Sequence, residues 1–228
     1  MSIYHKEYRE LQQIKLAVDC IIFGFNNNKL ELLLIRRGFE PEIGKWSLIG
    51  SFVGKNEDLD NAANRILYDL SGLENIYMEQ VKAFGNAKRD PSGHVVSITY
   101  SAMVLKSKYC EEKINQHDAN WFPIDDLPEM VFDHNDMVDC AISRLRRRVR
   151  NFPIAFNLLP QKFTLPQLQS LYEGILNEPI DKRNFRRKVA QMEYLVKLEE
   201  KDMSESRKGA YYYRFDEDLY KLKQNFNL

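Results

Sequence analysis

Residues 46–73 read WSLIGSFVGKNEDLDNAANRILYDLSGL. The apolar run 46–53, interrupted by Gly50, has the composition of a strand, and it leads into a polar loop, Lys55-Asn56-Glu57-Asp58. Asp58 or Asp60 can cap a helix that continues to Leu70, because Ala62, Ala63, Ile66, Leu67 and Leu70 recur at helical spacing. Gly72 supplies the left-handed stop. Strand, glycine loop and amphipathic helix in immediate succession imply a sheet with a helix packed on it.

Upstream, residues 16–25 (LAVDCIIFGF) and 30–36 (LELLLIR) are β-rich runs separated by Asn26-Asn27-Asn28, the pattern of a hairpin. Downstream, residues 78–84, 95–105 and 120–123 read as further strands, with Asp90-Pro91-Ser92-Gly93 as a turn. Residues 135–150 read as a helix whose end carries Arg144, Arg146, Arg147, Arg148 and Arg150, a favourable placement against the negative end of the helix dipole. The segment 151–162 (NFPIAFNLLPQK), apolar between its prolines, reads as a packed linker.

The remainder changes character. Thr164 can cap a helix over 165–176, with Pro166 in the first turn and Leu168, Leu171, Tyr172 and Ile175 as its buried stripe. Asn177-Glu178-Pro179 makes a turn, and Asp181 caps a second helix over 182–192. Phe185, Val189 and Met192 share the inner face of that helix, leaving Lys182, Arg183, Arg186, Arg187 and Lys188 outside. Residues 195–198 and 211–215 then read as strands joined by a polar loop, 199–208. Helix, tight turn, basic helix and two-stranded wing is the grammar of a winged helix-turn-helix.

Composition supports this division. Residues 1–143 hold 15 Lys and Arg against 22 Asp and Glu, whereas residues 144–228 hold 18 against 11, so only the back of the chain suits a polyanion. At 44% hydrophobic and 29% charged residues, with no apolar run near the length of a bilayer, a membrane protein is not expected. Cys20, Cys110 and Cys140 are far apart, which argues against a disulfide framework or a zinc site and fits a cytoplasmic protein.

The stretch 46–73 resembles the signature of the Nudix family, whose enzymes hydrolyse nucleoside diphosphates linked to another moiety. In that signature a glycine, five residues, a glutamate and seven residues precede Arg-Glu, an aliphatic residue, any residue, Glu-Glu, any residue, Gly and an aliphatic residue. Here Ser51 stands at the glycine, Glu57 at the glutamate and Arg65 at the arginine, followed by Ile66, Leu67, Tyr68, Asp69, Leu70, Ser71, Gly72 and Leu73. In the family the helix carboxylates converge on Mg²⁺ ions, which neutralise the pyrophosphate and activate water. Two of those positions are Ile66 and Leu70, which offer a hard cation no oxygen, so no catalytic residue, metal or cofactor is expected. The structural reading of the motif is that Arg65 and Glu57 tie the loop to the helix while Ile66 and Leu70 join the core. The resemblance also implies a ligand cleft at strand ends and turns, where Arg36, Arg37, Trp46, Arg89 and His94 fall; together with Ser51, Glu57, Arg65 and Asp69 they form the expected effector site.

The whole chain resembles the NrtR-type regulators, which fuse a degenerate Nudix domain to a C-terminal winged helix. The resemblance is carried by WSLIGSFV (46–53), RDPSGHVVSITY (89–100), FNLLP (156–160), FTLPQLQSLYEGI (163–175) and DKRNFRRKVAQM (181–192). Members respond to ADP-ribose or, in a related branch that this chain resembles most, to L-arabinose. The expectation is an α+β protein: a Nudix α/β/α sandwich with a mixed sheet over 1–152, then a winged helix over 153–228. Its function would be transcriptional regulation as a homodimer on a double-stranded DNA operator, controlled by a pentose or ADP-ribose. On the second helix Arg183, Asn184 and Arg187 are candidates for base contacts, and Lys182, Arg186 and Lys188 for phosphates, with Arg207 and Lys208 at the wing. The alternative is a Mg²⁺-dependent hydrolase of ADP-ribose-like nucleoside diphosphates.

Overall fold

The computed structural model describes residues 14–26, 28–109, 111–204 and 208–224. Strand β1 (Lys15–Asn26) is the spine of a mixed sheet. Its first half pairs antiparallel with β4 (Ile49–Phe52), Ala17 opposite Phe52, and its second half with β2 (Lys29–Arg36), Phe23 opposite Leu32. Its other edge runs parallel to β6 (Val95–Met103), which in turn pairs with β5 (Glu79–Phe84). Beyond β2 lie β3 (Trp46–Ser47) and β7 (Ala119–Pro123).

Alternation along β1 sends side chains to two separate cores. Val18, Cys20 and Ile22 meet Ala62, Ala63, Ile66 and Leu67 of helix α1 (Leu59–Ser71). Ile21 and Phe23, with Leu30, Leu32 and Leu34 of β2, meet Met137, Val138, Ala141, Ile142 and Leu145 of α3 (His134–Val149) on the opposite face. Each of these side chains is buried, and the Val, Leu, Ile, Phe and Met among them stabilise the sandwich by roughly 1.5–3 kcal/mol apiece before entropy is subtracted.

The second core does not stop at the end of α3. Ala155, Phe156 and Leu158 of a 3₁₀ segment (Pro153–Leu158) extend it to Leu168, Leu171 and Ile175 of α4 (Leu165–Leu176). The contact is close at Gly174, where a Cβ would meet the Phe25 ring at 2.7 Å and the Asn28 carbonyl at 2.9 Å. The C-terminal unit then adds α5 (Lys182–Val189), β9 (Leu195–Asp202) and β10 (Ala210–Phe215), with β8 (Phe163–Thr164) completing a three-stranded sheet in the order β8-β10-β9. This is a winged helix attached to a Nudix sandwich, the fold class expected from the sequence.

Several local expectations are corrected. The run 46–53 forms two strands rather than one, because β3 pairs with β2 whereas β4 pairs with β1; the chain changes neighbours at Leu48. The second basic helix ends at Val189 rather than Met192, and β9 continues through Asp202 because Lys201 and Asp202 pair with Tyr211 and Ala210. Helices α2 (Glu111–Gln116) and α6 (Glu217–Gln224) were not foreseen. Among the described residues no helix is long and apolar enough to cross a membrane.

Candidate ligand cleft and nucleic-acid interface

The signature residues are occupied with one another. Arg65 donates Nε and Nη2 to the two oxygens of Glu57 at 2.6 and 2.8 Å, donates to the Phe52 carbonyl at 3.2 Å, and lies 3.6 Å from Asp69. Glu57 accepts a further bond from the Gly54 N–H at 2.8 Å. The Arg65 bonds, then this amide, hold the Glu57 carboxyl down to about 2. Ile66 is fully buried and Leu70 packs on the same core. A row of two aliphatic groups and two acids committed to an arginine does not fit Mg²⁺, and among the described residues no set of three or more His, Cys, Asp or Glu side chains could hold a metal ion.

A cleft does form, on the other face of the sheet. It encloses about 50 Å³ and is lined by Ala17 and Asp19 of β1, Gly50, Ser51 and Phe52 of β4, Arg37 and Phe39 of the β2–β3 loop, Arg89 and Asp90 before β6, and Phe132 and His134 at the head of α3. Arg37, Ser51 and Arg89 are the expected residues that it gathers. Arg36 stacks instead on Trp46, 4.6 Å from its ring, and Trp46 packs edge-on against Phe122. His94 offers its carbonyl to the Lys15 amide outside the cleft. Glu57, Arg65 and Asp69 lie with α1 and line none of it.

The floor is a buried charge network. The Arg89 side chain, 2% exposed, is forked onto Asp133 by bonds of 2.7 and 2.9 Å and lies 3.9 Å from Asp19. Asp19 accepts from Ser97 Oγ at 2.5 Å through Oδ2, while Oδ1 faces His134 Nε2 at 3.8 Å. A Cβ at Gly50 would collide with that Oδ1, so the glycine makes room for the carboxylate. His134 Nδ1 accepts the Leu48 N–H at 3.1 Å, which leaves the ring proton on Nε2 toward Asp19. Burial holds its pKa below the usual value, against the pull of Asp19.

Arg37 is the exception in this network. Its guanidinium donates to the Pro41 carbonyl at 2.9 Å and lies 4.4 Å from the Phe39 ring and 5.1 Å from the Phe132 ring, but makes no ion pair among the described residues. Desolvation lowers its pKa, with Asp90 and Asp19 opposing. A partly desolvated cation whose nearest acids act only from beyond ion-pair distance can still take an anion. Sequence reasoning missed Asp19, Phe39, Phe132 and His134. The one available signal was an acid in the middle of an otherwise apolar strand, LAVDCIIF.

The basic helix is arranged for a different polyanion. Asp181 caps α5 by accepting from the Asn184 N–H at 2.8 Å, and Thr164 with Gln167 forms a capping box on α4. Lys182, Arg183, Asn184, Arg186, Arg187 and Lys188 are all exposed, while Phe185 and Val189 are buried. None of the five cations forms an ion pair among the described residues. Lys208 is exposed beside Gly209, whose φ of 65° turns the wing; Arg207 lies outside the described residues. An unforeseen feature of the wing is Tyr211, which has Lys197 Nζ at 3.6 Å and Lys201 Nζ at 4.5 Å from its ring.

Comparison with known proteins agrees with both halves. Residues 14–139 match the NUDIX domain model, and residues 155–215 match the NrtR DNA-binding winged helix domain model. The chain is 34% identical over 206 residues to the ADPR-responsive transcriptional repressor NtrR of Acinetobacter baylyi, covering 88% of this chain and 81% of that protein. The crystal structure of Shewanella oneidensis NrtR complexed with a 27mer DNA superposes with a TM-score of 0.76 at 29% identity, over 90% of this chain and 95% of that one. The NUDIX domain of the same protein complexed with ADP-ribose gives 0.53 at 26% identity, over 64% of this chain and 99% of that one. The chain therefore belongs to the NrtR family of transcriptional regulators, in which a Nudix domain is joined to a DNA-binding winged helix domain.

Proposed function

We propose that the protein is a cytoplasmic, homodimeric repressor whose Nudix domain, through about residue 152, binds ADP-ribose without hydrolysing it and thereby controls operator binding by residues 153–228. The observation that carries the effector assignment is Arg37, a partly desolvated guanidinium that makes no ion pair among the described residues and lines a cleft whose floor is polar and buried. A diphosphate satisfies that cation; a neutral pentose, the other effector class expected from the sequence, does not. The relatives support the choice, one being ADP-ribose-responsive and another having its Nudix domain crystallised with that ligand. Hydrolysis is disfavoured by the donor row of α1.

At the other end α5 docks in the major groove, with Arg183, Asn184 and Arg187 toward base edges and Lys182, Arg186, Lys188, Arg207 and Lys208 toward the backbone. Helix α3 connects the two sites. Its head supplies His134 and adjoins Asp133, while its last turns reach the DNA-binding unit, where Arg146 Nε donates to the Ile175 carbonyl at 2.9 Å and Arg150 pairs with Glu178 at 3.0 Å. A ligand that shifts the head of α3 therefore acts on the turn before α5, and any preference for one placement becomes a change in DNA affinity.

The test is a mobility shift of the purified chain on DNA upstream of its neighbouring genes, titrated with ADP-ribose and with L-arabinose. The expected result is a complex that ADP-ribose weakens and arabinose leaves alone. A complex indifferent to ADP-ribose would remove the effector assignment, and turnover of ADP-ribose in the presence of Mg²⁺ would restore the hydrolase.

A further inference from the structure

The cleft as it stands is too small for the ligand just assigned. At about 50 Å³ it has room for a few waters, whereas sites for ligands of nucleotide size enclose about 300–1,000 Å³. What closes its mouth is Arg37 against Phe39 and Phe132. Phe39 is a large aromatic side chain left 48% exposed. Phe132 has a φ of 55°, a left-handed backbone that a bulky side chain enters only at a cost. It is held there from both sides: the Val131 amide is bound to the Trp46 carbonyl at 3.0 Å, and Asp133 is locked by Arg89. Strain that fixes one ring at a cleft mouth is a pointer to ligand contact.

The geometry points to an aromatic clamp for the planar base of a nucleoside diphosphate, formed by Phe39 and Phe132, with Arg37 as its placeholder in the empty protein. This rests on the ADP-ribose reading above and adds to it which side chains select for the base. The two rings stack on a planar, delocalised cation, and a purine ring offers them the same kind of flat partner. Among the described residues the Arg37 side chain makes one hydrogen bond, to the Pro41 carbonyl, and no ion pair, so it can leave the rings and meet the phosphates. The exchange opens the cleft, and the base and the diphosphate are recognised in one movement. Because stacking reads a flat face rather than a hydrogen-bond pattern, the clamp distinguishes ligands with a base from those without one more strongly than adenine from guanine.

The experiment is calorimetric titration of full-length wild type, Phe39→Ala and Phe39→Tyr with ADP-ribose and with ribose 5-phosphate, which keeps a phosphorylated pentose but has no base. Phe39→Ala is expected to narrow the preference for ADP-ribose over ribose 5-phosphate about tenfold or more, and Phe39→Tyr to restore it. A preference unchanged in Phe39→Ala, or one that Phe39→Tyr fails to restore, overturns the clamp while leaving ADP-ribose as the effector. A wild type that binds no ADP-ribose overturns the effector assignment itself, and the clamp with it.

Discussion

Helix α1 and the head of α3 lie on opposite faces of the same strand, and at each an arginine is bound to carboxylates. On α1, Arg65 is 43% exposed by side chain and is satisfied by Glu57, with Asp69 nearby. At the head of α3, Arg89 is 2% exposed by side chain, Asp19 is 7% exposed, and Arg37 makes no ion pair among the described residues. The first arrangement is complete and partly solvated, whereas the second is buried and constrained, and its Arg37 meets acids only beyond ion-pair distance. A signature can thus persist mainly as scaffold, here as a clip between loop and helix, while the proposed cleft draws on it only through Ser51 and takes its charged residues from elsewhere.

The most severe way to break this contrast is to remove Asp133. Asp133→Ala leaves the Arg89 guanidinium buried with only the more distant Asp19 carboxylate, and the expected loss of stability is about 3–5 kcal/mol by denaturant unfolding. If the loss is no larger than that for Glu57→Gln, measured beside it, the network is no more structural than a surface pair.

Removing Arg37 sharpens the contrast from the other side. Arg37→Ala forfeits no ion pair, so the fold should lose no more than about 1 kcal/mol of ring contact. ADP-ribose affinity should nevertheless fall roughly tenfold to hundredfold, the worth of charge-assisted bonds to phosphate. Calorimetry reads the second quantity and thermal unfolding the first. A variant that loses stability and keeps its affinity would identify Arg37 as structural.

How much of this was legible in the sequence follows from the range of the interactions. The caps of α4 and α5 were readable because Thr164 with Gln167, and Asp181 with Asn184, act across one helical turn. The degenerate Nudix helix was readable because its buried row repeats at helical spacing. The cleft was not, because its bonds join residues far apart in the chain: Ser97 to Asp19 spans 78 positions and Arg89 to Asp133 spans 44. Arg36 and Arg37 are adjacent in sequence, yet one stacks on Trp46 and the other enters the cleft, a division made by strand pairing rather than composition. Likewise nothing local announced that the chain would change sheet neighbours at Leu48.

A smaller effect is expected on acidification, and its pH window distinguishes the two faces. Burial lowers the pKa of His134, so the unfolded chain takes up its proton first as pH falls through 6.5, and stability declines from there. Unfolding midpoints measured between pH 7.5 and 5.5 should fall in wild type more than in His134→Asn. Equal slopes would mean that the histidine is protonated freely in the fold and that Asp19, not desolvation, governs it.

The smallest signal belongs to α1. The Glu57 carboxyl lies well below its usual value, at about 2, because the Arg65 guanidinium and the Gly54 amide bond its charged form. The contribution is present above the ordinary glutamate value of 4.5 and is lost as pH falls toward 2, a window below that of the histidine. Carbon-detected NMR titration should therefore find Glu57 ionised at pH 3 in wild type and protonated near the ordinary value in Arg65→Met. Arg65→Met should also leave the Arg37-dependent affinity for ADP-ribose unmoved, since none of Arg65, Glu57 and Asp69 lines the cleft. A fall in that affinity would show that the signature face still communicates with the ligand, and the separation of scaffold from recognition would no longer hold.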